Sequence, residues 1–270
     1  MCRWLAYIGR PVALDTLLTE PEHSLLVQSQ DAADMAYKTN GDGFGIGWYT
    51  SRPGPGVYHD VRPAWNDRNL RSLAEHIESP LFMGHVRLAV GSEVSRLNCH
   101  PFTHERWLFQ HNGEVHGFSR IKQEVDALID PALYGLIGGQ TDSERLFYLA
   151  LTFGLEKDAP GALRRMVETV EGLREDAGIA EPFRMTIAVA DGSRLFVARH
   201  ASSGEPPSLY RSENLDAVTD AQGIEREVGG DGVIIVSEPL DKRSDHWRSI
   251  DENTLLHIRP GEIEAEPLLS

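Results

Sequence analysis

Two cysteines in 270 residues, Cys2 and Cys99, are too few for a disulfide framework. A chain of this length buries roughly three quarters of its unfolded surface and does not need one. No run approaches the roughly 20 consecutive apolar residues that a membrane-spanning helix requires. Positive charge is also scarce. Lys and Arg number 26 against 41 Asp and Glu, a net charge of −15, so general affinity for nucleic acid or anionic membrane is not expected. The opening MCRWLAYIGRPVAL is broken by Arg3 and Arg10 and has no signal-peptide hydrophobic region or small-residue cleavage site. A lipoprotein cysteine fails as well, because only Met1 precedes Cys2. The expectation is a cytoplasmic protein with two thiols. Without internal repeats or low-complexity tracts, and with 41% hydrophobic and 25% charged residues, one globular domain over 1–270 is expected.

What is present is a set of short periodic segments. CRWLAYIG alternates as a strand and stops at Gly9, a helical stretch covers about 22–29, and GDGFGIGWY (41–49) is a Gly-rich turn entering a strand. VYHDVR reads as a strand and 69–79 as a helix. LFMGHVRLAV (81–90) and WLFQHNGEV (107–115) read as buried strands, with a helix near 119–129 after them. Thr141 and Glu144 form a capping-box signature for the next helix, and another helix is expected over 160–176. FRMTIAVADG, SRLFVARH, GDGVIIVSEPL and TLLHIRPGEIEAE follow as short strands, with 201–231 as a long surface loop. Helices in the middle and strands at both ends imply an α+β fold with large, mostly antiparallel sheets.

Several residues carry possible chemistry, each beside a plainer reading. A Cys directly after the initiator Met is small enough for Met1 to be removed. One residue would then hold a thiol (pKa about 8.5) and an α-amine (about 8), a nucleophile and a base suited to neutral pH. Asn112 and Gly113 offer a side-chain amide and a backbone N–H to an oxygen gaining charge, though Asn-Gly after an apolar strand is also a common hairpin turn. Arg87, amid apolar residues, presents a two-pronged donor suited to a carboxylate, or else makes a structural ion pair. Asp142 accepts an ammonium group, or else it or Thr141 caps a helix.

In order, Cys2, GDGFGIGWY, GHVRLA (84–89), NCHPF (98–102), QHNGEV (110–115), TDSE (141–144) and VSEPL (236–240) resemble the stand-alone class II glutamine amidotransferases, a branch of the N-terminal nucleophile hydrolases. The match spans most of the chain. The resemblance implies a four-layer αββα sandwich and an amidohydrolase acting on glutamine or a γ-glutamyl compound through a γ-glutamyl thioester on Cys2. It makes Asn112 and Gly113 the oxyanion hole, and has Arg87 bind the substrate α-carboxylate and Asp142 its α-ammonium. No cofactor or metal is implied. His85 and His111 lie within matching motifs as structural side chains that orient neighbours, and Arg3 has no assigned role. One departure is Val90, where many members carry a Thr whose polar atoms contact substrate.

Two rivals use the same residues. Cys99, His100, His104, His111 and His116 fall within 18 residues and suggest a metal site, although their spacing fits none of the usual ligand patterns. A catalytically silent binding domain with this fold is the other. No synthetase domain is expected beside this match, so the expected partners are a small substrate and, on one reading, a separate synthetase subunit. The alternative activity is γ-glutamyl hydrolysis with little glutaminase activity, as in the related enzyme of ergothioneine synthesis. Tyr58, His59 and Trp65 either line a groove for the leaving amine or serve turn and strand packing.

Overall fold

Alternate residues of a strand face opposite sides of its sheet, and here both sides are apolar, so each sheet must be covered twice. The computed structural model describes residues 1–31, 39–89, 91–220, 222–223 and 231–269; Val90 lies outside them. One sheet holds β1 (Arg3–Ala13), β2 (Phe44–Trp48), β3 (Gly56–Asp60), β4 (Glu78–Val86), β9 (Tyr210–Ser212), β10 (Val233–Val236) and β11 (Trp247–Ser249), ordered β11-β9-β10-β1-β4-β2-β3. The other holds β5 (Phe102–His104), β6 (Trp107–Val115), β7 (Phe183–Ala190), β8 (Leu195–Ala201), β12 (Thr254–Arg259) and β13 (Glu262–Pro267), ordered β13-β12-β8-β7-β6-β5. Pairing is antiparallel throughout the described strands.

The alternation sorts the core into three layers. Trp4, Ala6 and Ile8 of β1 meet Leu81, Met83, Ala188, Val197, Ile235 and Leu256 between the sheets. Leu5 and Tyr7 face the other way, into a core shared with α1 (Asp15–Leu18), α2 (Leu25–Gln30), α3 (Arg68–His76) and α8 (Leu215–Asp220). On the far side of the second sheet, Phe109, Phe183 and Ile187 pack against α4 (Phe118–Leu128), α6 (Asp142–Thr152) and α7 (Ala159–Asp176), with α5 (Pro131–Tyr134) beside α6. The expected αββα sandwich is the observed one. Among the described residues no helix is long and apolar enough to cross a membrane.

Several boundaries differ from expectation for local reasons. β1 passes Gly9 and runs to Ala13, its register against β4 shifting between Ile8 and Val12. A side chain at Gly9 would collide with Tyr7 and the Gly232 backbone, so this Gly permits close approach and ends nothing. The helix expected over 69–79 ends at His76, because Glu78 already pairs with Ala13. Asn112 and Gly113 form no turn; they lie within β6, opposite Thr186 and Met185 of β7. The described part of 201–231 carries β9 and α8.

The apolar layer between the sheets is crossed by polar links. Trp4 Nε1 donates to Thr186 Oγ1 (3.1 Å), which donates to the Asn112 carbonyl (3.3 Å), and Gln110 Nε2 donates to the Leu5 carbonyl (3.1 Å). Thr186 is fully buried, so Thr186→Val keeps the volume but strands the Trp4 indole N–H. We expect a loss of about 1–3 kcal/mol in urea unfolding with an unchanged denaturant slope. A smaller loss would mean that the indole finds another acceptor.

Candidate active site

Cys2 stands one residue before β1, so the strand pairing Arg3↔Val86 brings it beside the segment that follows β4. Its Sγ accepts from Leu88 N–H (3.5 Å) and lies 3.7 Å from the Leu88 carbonyl. Burial pushes the thiol pKa up, opposed by the Leu88 N–H, the chain's amino terminus, Arg87 and Arg3. With Met1 in place, the amine belongs to Met1. Burial pushes its pKa down; the Cys2 charge opposes this, Arg3 adds to it, and Glu114 opposes it.

Arg87 lies just past β4 rather than on it. Its N–H donates to the Gly43 carbonyl (2.8 Å), and its own carbonyl accepts from Asp42 N–H (3.0 Å). The guanidinium is buried and surrounded by neutral acceptors: the Asp42 carbonyl (3.4 Å), Ser92 Oγ (2.7 Å) and the Glu93 carbonyl (3.1 Å). Among the described residues no carboxylate pairs with it. Asp42 also fastens the next turn, its Oδ2 accepting from Ala89 N–H (2.8 Å). Sequence reasoning missed Asp42, whose signal was a carboxylate inside the Gly-rich motif.

Asn112 and Gly113 occupy a free stretch of strand edge. β5 pairs with Trp107–Phe109, so beyond that point one edge of β6 has no neighbouring strand among the described residues. Val115 N–H uses this edge to reach Asp142 Oδ2 (2.9 Å), and by the two-residue repeat Gly113 N–H points the same way. Gly113 has φ +153, and an added Cβ would lie 2.0 Å from the Arg184 carbonyl oxygen. Asn112 is buried, and its Oδ1 has no partner among the described residues.

Asp142 opens α6 without capping it. Thr141 Oγ1 is the cap, accepting from Glu144 N–H (3.2 Å), while the Glu144 carboxylate accepts from Gly138 and Gly139 N–H instead of closing the capping box. Asp142 Oδ1 accepts from Ser143 N–H (2.7 Å) and lies 3.2 Å from Ser143 Oγ; that hydroxyl contacts His111 Nδ1 at 2.8 Å. His85 Nε2 lies 3.1 Å from the His111 carbonyl, and the His85 ring stacks on His100 with centroids 4.3 Å apart. Both matched histidines thus hold neighbours of the site.

The drawn metal set separates. Cys99 contacts the Asp60 and Ser95 carbonyls, His104 packs on Tyr148, and His116 meets the Pro182 carbonyl. Among the described residues no three His, Cys, Asp or Glu side chains are placed to hold one ion. The expected groove also changes. Tyr58 donates to Asp67 and packs edge-on to Phe44, and His59 contacts the Pro101 carbonyl. Trp65, its ring against Gly41, borders the loop that holds Arg87.

Burial lowers the pKa of His85 to about 3, and those of His100 and His111 also lie below the usual value. These rings stay neutral in the fold where the unfolded chain takes up protons, so stability is lost as pH falls below about 6.5. Asp60, held at about 2 by Arg62, contributes a loss only at lower pH. Urea unfolding at pH 5.5 and 7.5 should show the lower stability at pH 5.5, with about 1 kcal/mol of the difference from His85 alone and further loss in the same direction from His100 and His111. Equal stabilities would mean that the rings titrate within the fold.

The family model described as glutamine amidotransferases class-II matches residues 22–268. The chain is 34% identical over 302 residues to the probable glutamine amidotransferase DUG3 of Saccharomyces cerevisiae, covering 100% of this chain and 85% of that one. It is 27% identical over 271 residues to the gamma-glutamyl-hercynylcysteine sulfoxide hydrolase of Mycolicibacterium smegmatis, covering 99% and 100%. Among solved structures, a glutamine aminotransferase class-II domain protein from Silicibacter pomeroyi superposes with TM-score 0.74 at 34% identity, over 99% of each chain. The glutamine phosphoribosylpyrophosphate amidotransferase of Bacillus subtilis matches with TM-score 0.68 at 13% identity, over 99% of this chain and 49% of that one, a likeness of fold alone.

Proposed function

Because this chain belongs to the class II glutamine amidotransferases, we propose that it hydrolyses γ-glutamyl amides through Cys2 once Met1 has been removed. The observation that carries this reading is the buried Arg87 guanidinium, solvated by neutral groups and without a carboxylate among the described residues, whose field reaches the Cys2 thiol. A buried cation left without a counter-ion suits a ligand that brings one.

The steps follow from the residues. Removal of Met1 turns a peptide nitrogen into the α-amine of Cys2. That amine takes the thiol proton as sulfur attacks the γ-carbonyl carbon. Asn112 Nδ2 and Gly113 N–H donate to the resulting oxyanion. Arg87 binds the α-carboxylate of the glutamyl group, and Asp142 accepts from its α-ammonium with the lone pairs that Val115 and Ser143 leave free. The amine passes its proton to the leaving nitrogen, the C–N bond breaks, and a thioester remains on Cys2. Water, deprotonated by the same amine, then releases glutamate. A protonated thiol in the Met1-bearing chain fits a nucleophile that is idle before processing.

Substrate breadth is read from what grips the molecule. Arg87 and Asp142 hold only the glutamyl head, so the leaving amine is selected at the rim, where Trp65 borders the Asn40–Gly43 loop. Relatives named as γ-glutamyl hydrolases support a larger amide as substrate. We place the enzyme in the cytoplasm, where two free thiols remain reduced.

The processed protein should turn over a larger γ-glutamyl amide with higher kcat/KM than glutamine, or accelerate on glutamine only with a partner subunit. A fast plain glutaminase would defeat this preference. Cys2→Ala should abolish turnover and Cys99→Ala should leave it. Asn112→Ala should lower kcat by roughly 10²–10³ with a smaller change in KM. Activity that survives Cys2→Ala, or full activity with Met1 attached, would overturn the mechanism.

A further inference from the structure

Arg3 and Glu238 form an ion pair that almost no water reaches, each side chain 2% exposed. Arg3 Nε donates to Glu238 Oε1 at 2.5 Å, and Nη2 approaches the same oxygen. The third arm, Nη1, donates to the carbonyl of Cys2 at 3.0 Å. Glu238 is held in turn. His23 Nε2 lies 3.0 Å from its Oε2, and Gln28 Nε2 donates to its carbonyl at 3.2 Å. Next to it, Ser237 exchanges bonds with Trp4: Trp4 N–H donates to Ser237 Oγ, and Ser237 N–H donates to the Trp4 carbonyl, both at 3.0 Å.

Stability alone does not explain such a pair, because apolar residues of similar size often replace a buried ion pair at no cost. The contact with Cys2 does. The ladder between β1 and β4 begins at Arg3↔Val86, so no strand pairing fixes residue 2 itself. Once Met1 is gone, the Cys2 thiol and amine hang from the Cys2–Arg3 peptide by two rotatable bonds. Pinning that peptide's oxygen fixes the platform from which both groups are aimed. A misplacement of about 1 Å can cost roughly 10²-fold in rate. The charge acts in the same direction, since Arg3 favours the Cys2 thiolate.

We propose that Arg3 and Glu238 are positioning residues for Cys2, with Glu238 orienting the Arg3 guanidinium so that it locks the Cys2 carbonyl and thereby aims the thiol and amine. This inference rests on the reading of Cys2 as nucleophile.

The test uses the processed full-length protein with glutamine and γ-glutamyl-p-nitroanilide as substrates, and a glutamine-like diazoketone as a label for Cys2. Two variants are compared: Glu238→Gln, which keeps the shape, and Arg3→Met with Glu238→Leu, which replaces the pair by apolar side chains. Both should lower kcat and the maximal labelling rate about tenfold or more, with KM changed less than about threefold, and the double variant should melt within a few degrees of wild type. A folded double variant with wild-type kcat and labelling rate would make the pair merely structural. So would a loss that appears wholly in KM, or failure of both variants to fold. Wild-type hydrolysis that survives Cys2→Ala would instead remove the nucleophile reading beneath the proposal.

Discussion

The arrangement depends on hydrogen bonds that cross an otherwise apolar layer between two sheets. Hydrophobic contact there is non-directional, and Ile8, Met83, Ala188 and Val197 would tolerate one sheet sliding over the other. The bonds from Trp4 through Thr186 to the Asn112 carbonyl, and from Gln110 to the Leu5 carbonyl, do not. Each is buried, so breaking it strands a polar group away from water. They join β1, which begins directly after Cys2, to the part of β6 that carries Asn112 and Gly113. Tyr49 adds a further link, its hydroxyl donating to the Ala190 carbonyl at 2.7 Å. The relation between candidate nucleophile and candidate oxyanion donors is therefore set by sheet register, which is stiffer than any loop.

Much of this was legible because alternation in a two-sided sheet leaves a plain record. WLFQHNGEV marked its strand to the residue, since Trp107 and Phe109 face the helices while Leu108 faces the other sheet. The same local logic misled at Gly9 and at Asn112-Gly113. A Gly reads as a break or a turn when the chain is viewed alone. In the fold, a side chain at Gly9 or Gly113 would meet the backbone of another segment. Strands β9 and β11, three residues each, are too short to show a period. At the site, residue types and motif order were readable, and their partners were not. Nothing near Arg87 in sequence says that Asp42, 45 residues upstream, meets its guanidinium with a backbone carbonyl. Nothing near Arg3 points to Glu238.

The two charges proposed to hold the glutamyl head are held in opposite ways, and the contrast suits an anion site in an acidic protein. With a net charge of −15, a buried guanidinium has ample carboxylates to draw on, and Arg3, Arg145 and Arg174 have found theirs. Arg87 is instead ringed by two carbonyls and a hydroxyl. These dipoles solvate the cation without cancelling its charge, so its attraction for an incoming carboxylate survives burial. Asp142 is the converse, an anion steadied by N–H donors with acceptor capacity to spare. Each group has neutral partners that leave part of its hydrogen-bonding capacity for a ligand. A zwitterionic α-amino acid head completes both at once, whereas a plain carboxylate or amine completes one and leaves the other as it was. With Arg87 and Asp142 in the proposed roles, discrimination for the glutamyl group rests on two half-solvated charges on different elements, the loop after β4 and the first turn of α6.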